Sequence, residues 1–294
     1  MAISKVRVQI NGTWHTLTST DGKNYTATIT APGATSYNNA GGYYDVTVEA
    51  TNTAGSVTTQ TASGLAGLKL YVREKVPPVI AIITPSAGAY VTNNKQTIVF
   101  TVTDESGGSG INVDSVKVKL DGTEVSGVGR VSTNQFSYTP ATALSDGSHT
   151  VTINASDNDG NAATAKSVTF KVDTVPPTLN ISAPANDLVT NTASVVVRGN
   201  TNDASSSPVT VKITLGGVDQ GSVTVASDGT FTKSITLKEG ANTIAVTATD
   251  SAGKSSTVSR RVTLDTSKPV VKSAVITPNP VDAGASMVIT VVVE

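Results

Sequence analysis

A β-strand pattern runs three times into the same kind of turn: Ala50-Thr51-Asn52-Thr53-Ala54-Gly55, Ala155-Ser156-Asp157-Asn158-Asp159-Gly160 and Ala248-Thr249-Asp250-Ser251-Ala252-Gly253. A repeat of roughly a hundred residues is too long for a solenoid and fits a series of small domains. Before each turn the residues alternate. Tyr44, Val46, Val48 and Ala50 form one set, His149, Val151, Ile153 and Ala155 the second, and Asn242, Ile244, Val246 and Ala248 the third. Period-two alternation of this kind is a strand with one buried face, and a Gly-containing turn after it makes a hairpin.

A second strand also recurs, Val6–Ile10, Val116–Leu120 and Val211–Leu215, followed by Asn11-Gly12, Asp121-Gly122 and Gly216-Gly217. Asn-Gly and Asp-Gly readily supply the positive φ angles of a tight turn. No stretch has a 3.6-residue apolar period, so essentially no helix is expected. With aromatic residues at 4% and charged residues at 15%, strands must pack through Val, Thr and Ala, giving thin cores. The class is all-β, a tandem of sandwich modules.

Proline marks the joints. Val76-Pro77-Pro78, Val175-Pro176-Pro177 and Lys268-Pro269 each follow a strand-like run. Because proline fixes φ and restricts its predecessor, these joints should be stiff and the modules should line up as a rod. The expected divisions are residues 1–75, 76–174, 175–267 and a two-strand segment 268–294.

These residues resemble the bacterial immunoglobulin-like domains of large surface proteins and of bacteriophage virions, whose last hairpin reads A-x-D-x-x-G-N and whose linkers read D-T-x-P-P. Asp157 to Asn161 with Asp173-Thr174-Val175-Pro176-Pro177, and Asp250 to Lys254 with Asp265-Thr266-Ser267-Lys268-Pro269, carry the likeness, which covers residues 76–267 well and the first module in part. The resemblance implies tandem Ig-like sandwiches and no particular activity.

The count of strands is uneven. Pro78 and Pro177 are each followed after 26 residues by an aspartate, Asp104 and Asp203, and only then by the recurring strand. The first module enters directly at that strand, so it is expected to lack its first two strands. Conversely, Pro269 to Glu294 has the length of two opening strands with nothing after them. Both faces of Met287 to Val293 are largely apolar, which suits a strand buried in a sheet. Two readings stand: Val288, Ile289, Val291 and Val293 supply the missing strands to the front module by strand complementation, or the segment opens a further domain.

Little catalytic chemistry is legible. His15 flanks Trp14, and His149 shares its slot with Tyr44 and Asn242, a place for packing. Cysteine is absent, and no P-loop, Gly-x-Ser-x-Gly or His-Glu-x-x-His occurs, so no enzyme is expected. Gly107-Gly108-Ser109-Gly110 reads as a flexible loop. Calcium is the one cofactor to weigh, through Asp104, Asp157, Asp159, Asp173, Asp250 and Asp265 near the module ends, although such residues in turns usually bond their own backbone. Tyr37 and Tyr43 sit in a Gly/Asn-rich loop of the kind that contacts glycans or proteins.

A net charge of −1 gives no electrostatic footprint for nucleic acid, and no segment has the length and apolarity of a membrane helix. Met1 to Val6 shows no signal-peptide pattern, and cytoplasmic synthesis is expected. Together with the resemblance, this leads to a non-enzymatic virion protein of a phage tail or baseplate, whose partners are other virion proteins, copies of itself or a host surface glycan. The alternative is a spacer or stalk of a bacterial surface adhesin with calcium-stiffened joints.

Overall fold

The computed structural model describes residues 2–294. The chain divides into two compact units, one ending at Asp173 and one starting at Thr174. It is all-β, with the 3-10 turns Ala40–Gly42 and Ala66–Leu68 as its only helical pieces among the described residues.

The first unit holds the front module and the second module. The front module contains a single four-stranded sheet, in the order Thr13–Leu17, Ile3–Ile10, Thr47–Asn52, Val57–Gln60, plus a short ladder of Tyr44–Asp45 with Lys69–Leu70. The second module is a two-sheet sandwich. Thr123–Val125, Ile111–Leu120, Gly147–Asp157, Lys166–Val172 and Tyr90–Val91 form one layer. Gly129–Arg130, Gln135–Tyr138, Ile98–Thr103 and Val79–Thr84 form the other. Between them lies a core that includes Ile80, Ile98, Phe100, Val102, Val118, Phe136, Val151 and Ile153, with Phe100 stacked on Phe136 at 5.6 Å.

The second unit repeats the plan. A three-stranded sheet of Thr178–Ala183, Ser194–Asn202 and Thr230–Thr236 belongs to the same sandwich as a five-stranded sheet ordered Leu188–Thr190, Ser255–Leu264, Gly240–Thr249, Thr210–Leu215, Val218–Asp219. Their shared core is built on Ile181, Val197, Ile213, Phe231, Ile244 and Val246. Val271–Thr277 and Val288–Val293 then form a separate two-stranded antiparallel ribbon.

One register underlies all three recurring strand pairs. Val8 lies opposite Val48, Val118 opposite Ile153 and Ile213 opposite Val246. Since directly opposed residues share a face of the sheet, the inner sets expected from the alternation do line up. Their burial differs. His149, Val151, Ile153 and Ala155 are buried, as are Asn242, Ile244, Val246 and Ala248. In the front module only Val46 is, while Tyr44, Val48 and Ala50 are half-buried. The cause is architectural: in the second module, the opening strands Val79–Thr84 and Ile98–Thr103 bring Ile80, Ile98, Phe100 and Val102 over this face, and the front module has no such strands among the described residues.

The ribbon departs from expectation in the opposite sense. Met287 to Val293 reads as a strand for a sheet interior, yet Val288, Ile289, Val291 and Val293 are 65%, 56%, 49% and 61% exposed. Its apolar pattern fits a buried strand, but no second sheet covers it among the described residues.

Candidate functional site

The three recurring turns are built alike, and their polar atoms are already engaged. In each, the residue before the turn, Asn52, Asp157 or Asp250, is buried and donates its amide to the carbonyl of the residue four along. The Asn52 Oδ1 accepts from the amides of Ala54 and Ser56, each at 2.9 Å. Asp157 accepts from the Asn161 amide at 2.8 Å and from its side-chain Nδ2 at 2.7 Å. The Asp250 Oδ1 accepts from the amides of Ala252 and Lys254. Gly55, Gly160 and Gly253 follow with φ of 84°, 95° and 87°, where a side chain would strain the backbone. The motif is thus a turn lock.

Three of the six acidic residues weighed for calcium, Asp157, Asp159 and Asp265, have oxygens engaged in hydrogen bonds. Both Asp157 oxygens belong to the turn. The Asp159 Oδ2 accepts from the Thr35 hydroxyl at 2.6 Å and the Glu74 amide at 3.0 Å, tying the front module and its linker to the second module. Asp265 caps its own linker by accepting from Ser267, whose hydroxyl and amide hold the Asp265 carboxyl below its ordinary range. Asp173 is buried at the end of Lys166–Val172, its amide bonded to the Val91 carbonyl. Asp250 keeps one buried oxygen, Oδ2, without a hydrogen-bond partner. One of the Asp250 carboxylate oxygens lies within 4.8 Å of one from the buried Asp203. Burial raises the Asp203 carboxyl, but hydrogen bonds from Ser206 and Ser205 outweigh this and set it below the usual range.

Only Asp104 enters a carboxylate cluster within the first unit. Its partners are Glu105 and the linker residue Glu74, with ligand oxygens within 4.8 Å of one another. Glu74 Oε1 accepts from the Ser109 amide, and Asp104 Oδ2 from the Gly110 amide at 2.7 Å. Glu74 Oε2 and Asp104 Oδ1 are buried without a hydrogen-bond partner. The interaction with Glu74, with some burial, pushes Glu105 up to about 7. Burial raises Glu74 too, but its hydrogen bonds with Glu105 and Ser109 hold it below its ordinary range. Glu74, Asp104 and Glu105 can each offer one hard oxygen to a cation, three of the roughly six to eight that calcium takes.

The loop Gly107 to Gly110 is pinned, contrary to its expected flexibility. Ser109 is 2% exposed, and its carbonyl and hydroxyl accept from Asn158 Nδ2 and the Asp159 amide. Asn38 Nδ2 also donates to the Gly108 carbonyl at 2.7 Å.

The tyrosines divide. Tyr37 is 50% exposed and Tyr71 65% exposed, and both border a cleft of about 340 Å³ that also takes in Arg73, Asn158 and Asp159. Tyr43 is half-buried, packed edge-on against Tyr71 at 6.1 Å beneath the Lys69 ammonium. His149 does structural work. Its Nδ1 pairs with Asp121 Oδ2 at 2.7 Å and its Nε2 with the Ser145 carbonyl at 2.8 Å. Asn242 makes the same reach of four residues back, to Lys238 at 2.7 Å.

Residues 85–174 match the family model of the bacterial Ig-like domain, and residues 177–266 match that of glucodextranase domain B. The chain thus carries two β-sandwich modules in tandem, the first of which matches the bacterial Ig-like domain. Bacillopeptidase F of Bacillus subtilis (strain 168) is 27% identical over 132 residues, which is 45% of this chain and 9% of that protein, so the chain spans less than a tenth of that relative. Among solved structures, the fibronectin(III)-like modules of CbhA from Clostridium thermocellum align with 63% of this chain and 93% of theirs, at 18% identity and a TM-score of 0.40. Immunoglobulin domains 1–4 of Sidekick-1 align with 90% of this chain and 68% of theirs, at 11% identity and a TM-score of 0.38. Bacterial Ig-like domains are typically non-catalytic, while glucodextranase domain B is by name part of an enzyme.

Proposed function

We propose that this chain is a non-enzymatic structural and interaction protein that assembles through its C-terminal ribbon, and that its place is a bacteriophage tail or baseplate. The observation that carries the assembly reading is the ribbon Val271–Thr277 with Val288–Val293, an apolar surface exposed on both faces. Exposed β-ribbons rich in Val and Ile are aggregation hazards unless a partner covers them. The hairpin and linker motifs that resemble those of virion Ig-like domains support the placement. In that setting the cleft bordered by Tyr37 and Tyr71 offers stacking faces beside polar groups for weak contact with a host surface glycan, made effective by many copies. Mass spectrometry and immunogold labelling of purified phage particles test the placement. Finding the chain in tails, and losing it when residues 270–294 are deleted, is the expected result; its absence from particles overturns the virion role.

A second reading, a spacer of a surface adhesin with calcium-stiffened joints, is favoured by the Glu74, Asp104 and Glu105 cluster. Calcium would there bridge the linker residue Glu74 to Asp104 and Glu105 of the module. A melting temperature unchanged between calcium and chelator removes this reading.

A further inference from the structure

We infer that the ribbon of one copy completes the front module of a second copy by covering the inner face of its single sheet. The inference rests on the assembly reading above and names the partner. Its first support is register. The residues two and 24 positions beyond the linker prolines Pro78, Pro177 and Pro269 are cross-strand partners in all three cases: Ile80 with Val102, Leu179 with Thr201, and Val271 with Val293. The ribbon thus shares its first pair with the opening strands of the second and third modules, although its bulge, between Val271 and Ser273, falls two residues earlier than theirs, between Ile82 and Thr84 and between Ile181 and Ala183.

In those modules the face so defined turns into the core. Ile80, Ile98, Phe100 and Val102 are buried in the second, and Ile181, Val195 and Val197 in the third. The matching face of the ribbon carries Val271, Ala274, Ile276, Ile289, Val291 and Val293, continuous through the pairs Ala274 with Val291 and Ile276 with Ile289. It has no polar side chain. The opposite face carries Ser273, Thr277 and Thr290 as well as valines.

The second support is the seat. The front module holds the sheet that such strands cover elsewhere; on its inner face Val6, Val8 and Val46 are buried, and the open part lies at Val48 and Ala50. Val48 and Ala50 are half-buried, whereas their counterparts Ile153 and Val246 are fully buried and Ala155 and Ala248 nearly or fully so. Packing an apolar ribbon on an apolar sheet removes both surfaces from water. Because ribbon and seat are different patches, the contact is heterologous and propagates from copy to copy, giving filaments or closed rings.

The full chain should therefore self-associate with rising concentration in sedimentation equilibrium. Neither Ile289→Glu/Val291→Glu nor Val48→Glu alone should associate, while an equimolar mixture should stop at a one-to-one dimer, since only one productive contact remains. As the chain has no cysteine, Ala50→Cys and Val291→Cys copies give a clean second measurement under oxidation. A disulfide linking Ala50→Cys chains to Val291→Cys chains in the mixture is expected, whether or not the charged variants fold. A chain that stays monomeric at every concentration, or self-association that persists in Val48→Glu without that cross-link, overturns the proposal. If the ribbon is needed for incorporation into particles but the cross-link never forms, the partner is another protein and the assembly reading stands alone.

Discussion

Val48→Ala should cost the front module much less than Val246→Ala costs the third, although both valines hold the same position in the recurring strand pair. Val246 is fully buried. Deleting its two methyl groups forfeits about 1.6 kcal/mol of transfer free energy at about 0.8 kcal/mol per buried carbon. The cavity left among fixed neighbours brings the cost to about 2.5 kcal/mol. Val48 is half-buried, so about half the transfer term is at stake and water fills the space, giving about 0.8 kcal/mol. With a urea slope of about 1 kcal/mol per molar for modules of this size, the midpoints should fall by about 2.5 M and under 1 M respectively. Trp14, the sole tryptophan, lies in the front module and reports its unfolding by fluorescence. Amide exchange of Gly240–Thr249 reports the third. The comparison belongs at dilution, where copies are apart. Equal costs in dilute solution would refute the claim that the front module's inner face is open at Val48, and the Val48→Ala cost should rise with concentration as the ribbon of a neighbour covers that site.

Other consequences follow from single sites. His149 is pulled down by burial, but its bonds to the Ser145 carbonyl and Asp121 carboxylate prevail and set it above 6.5. Its contribution is thus complete below the unfolded value and lost as pH rises through the folded one. An NMR titration midpoint above 6.5, falling in Asp121→Asn, is the expected result; an unchanged midpoint contradicts it. Glu105, raised to about 7, favours the folded state below its unfolded value of 4.5 and loses that contribution as pH climbs to about 7, while the lowered Glu74 acts in the opposite sense. Calcium titrated near pH 6.5 should release protons in the native chain and not in Glu74→Gln; calorimetry in buffers of different ionisation enthalpy reads this, and equal release in both removes Glu74 from the site. Gly229→Ala should destabilise the third module by about 3 kcal/mol or more, because φ is +82° and the added Cβ would stand 2.1 Å from the Thr201 carbonyl oxygen. A urea midpoint for exchange in Ser194–Asn202 like that of the native chain would count against this.

Much of the fold is legible in the sequence because its signals are local. The Asn52, Asp157 and Asp250 turns follow from a side-chain acceptor followed three residues later by glycine, and the alternation before them finds the inner residues of the second and third modules. What local pattern does not carry is coverage. Val48 reads like Val246, and only the presence or absence of a facing sheet separates them. The same holds for the carboxylates. Asp157 and Asp265 look available until their turn bonds are drawn, whereas Glu74 gives no signal in a linker and meets Asp104 only through the fold. Gly107 to Gly110 has a flexible composition, yet long-range bonds from Glu74, Asn38 and Asn158 hold it in place.

The ribbon and the face it fits are tested most directly by hydrogen exchange of Val288–Val293 and Thr47–Asn52 across a concentration series of the full chain. Protection rising in both segments together, with the same concentration midpoint, is the predicted result. Rapid exchange of Val288–Val293 at every concentration would contradict the account.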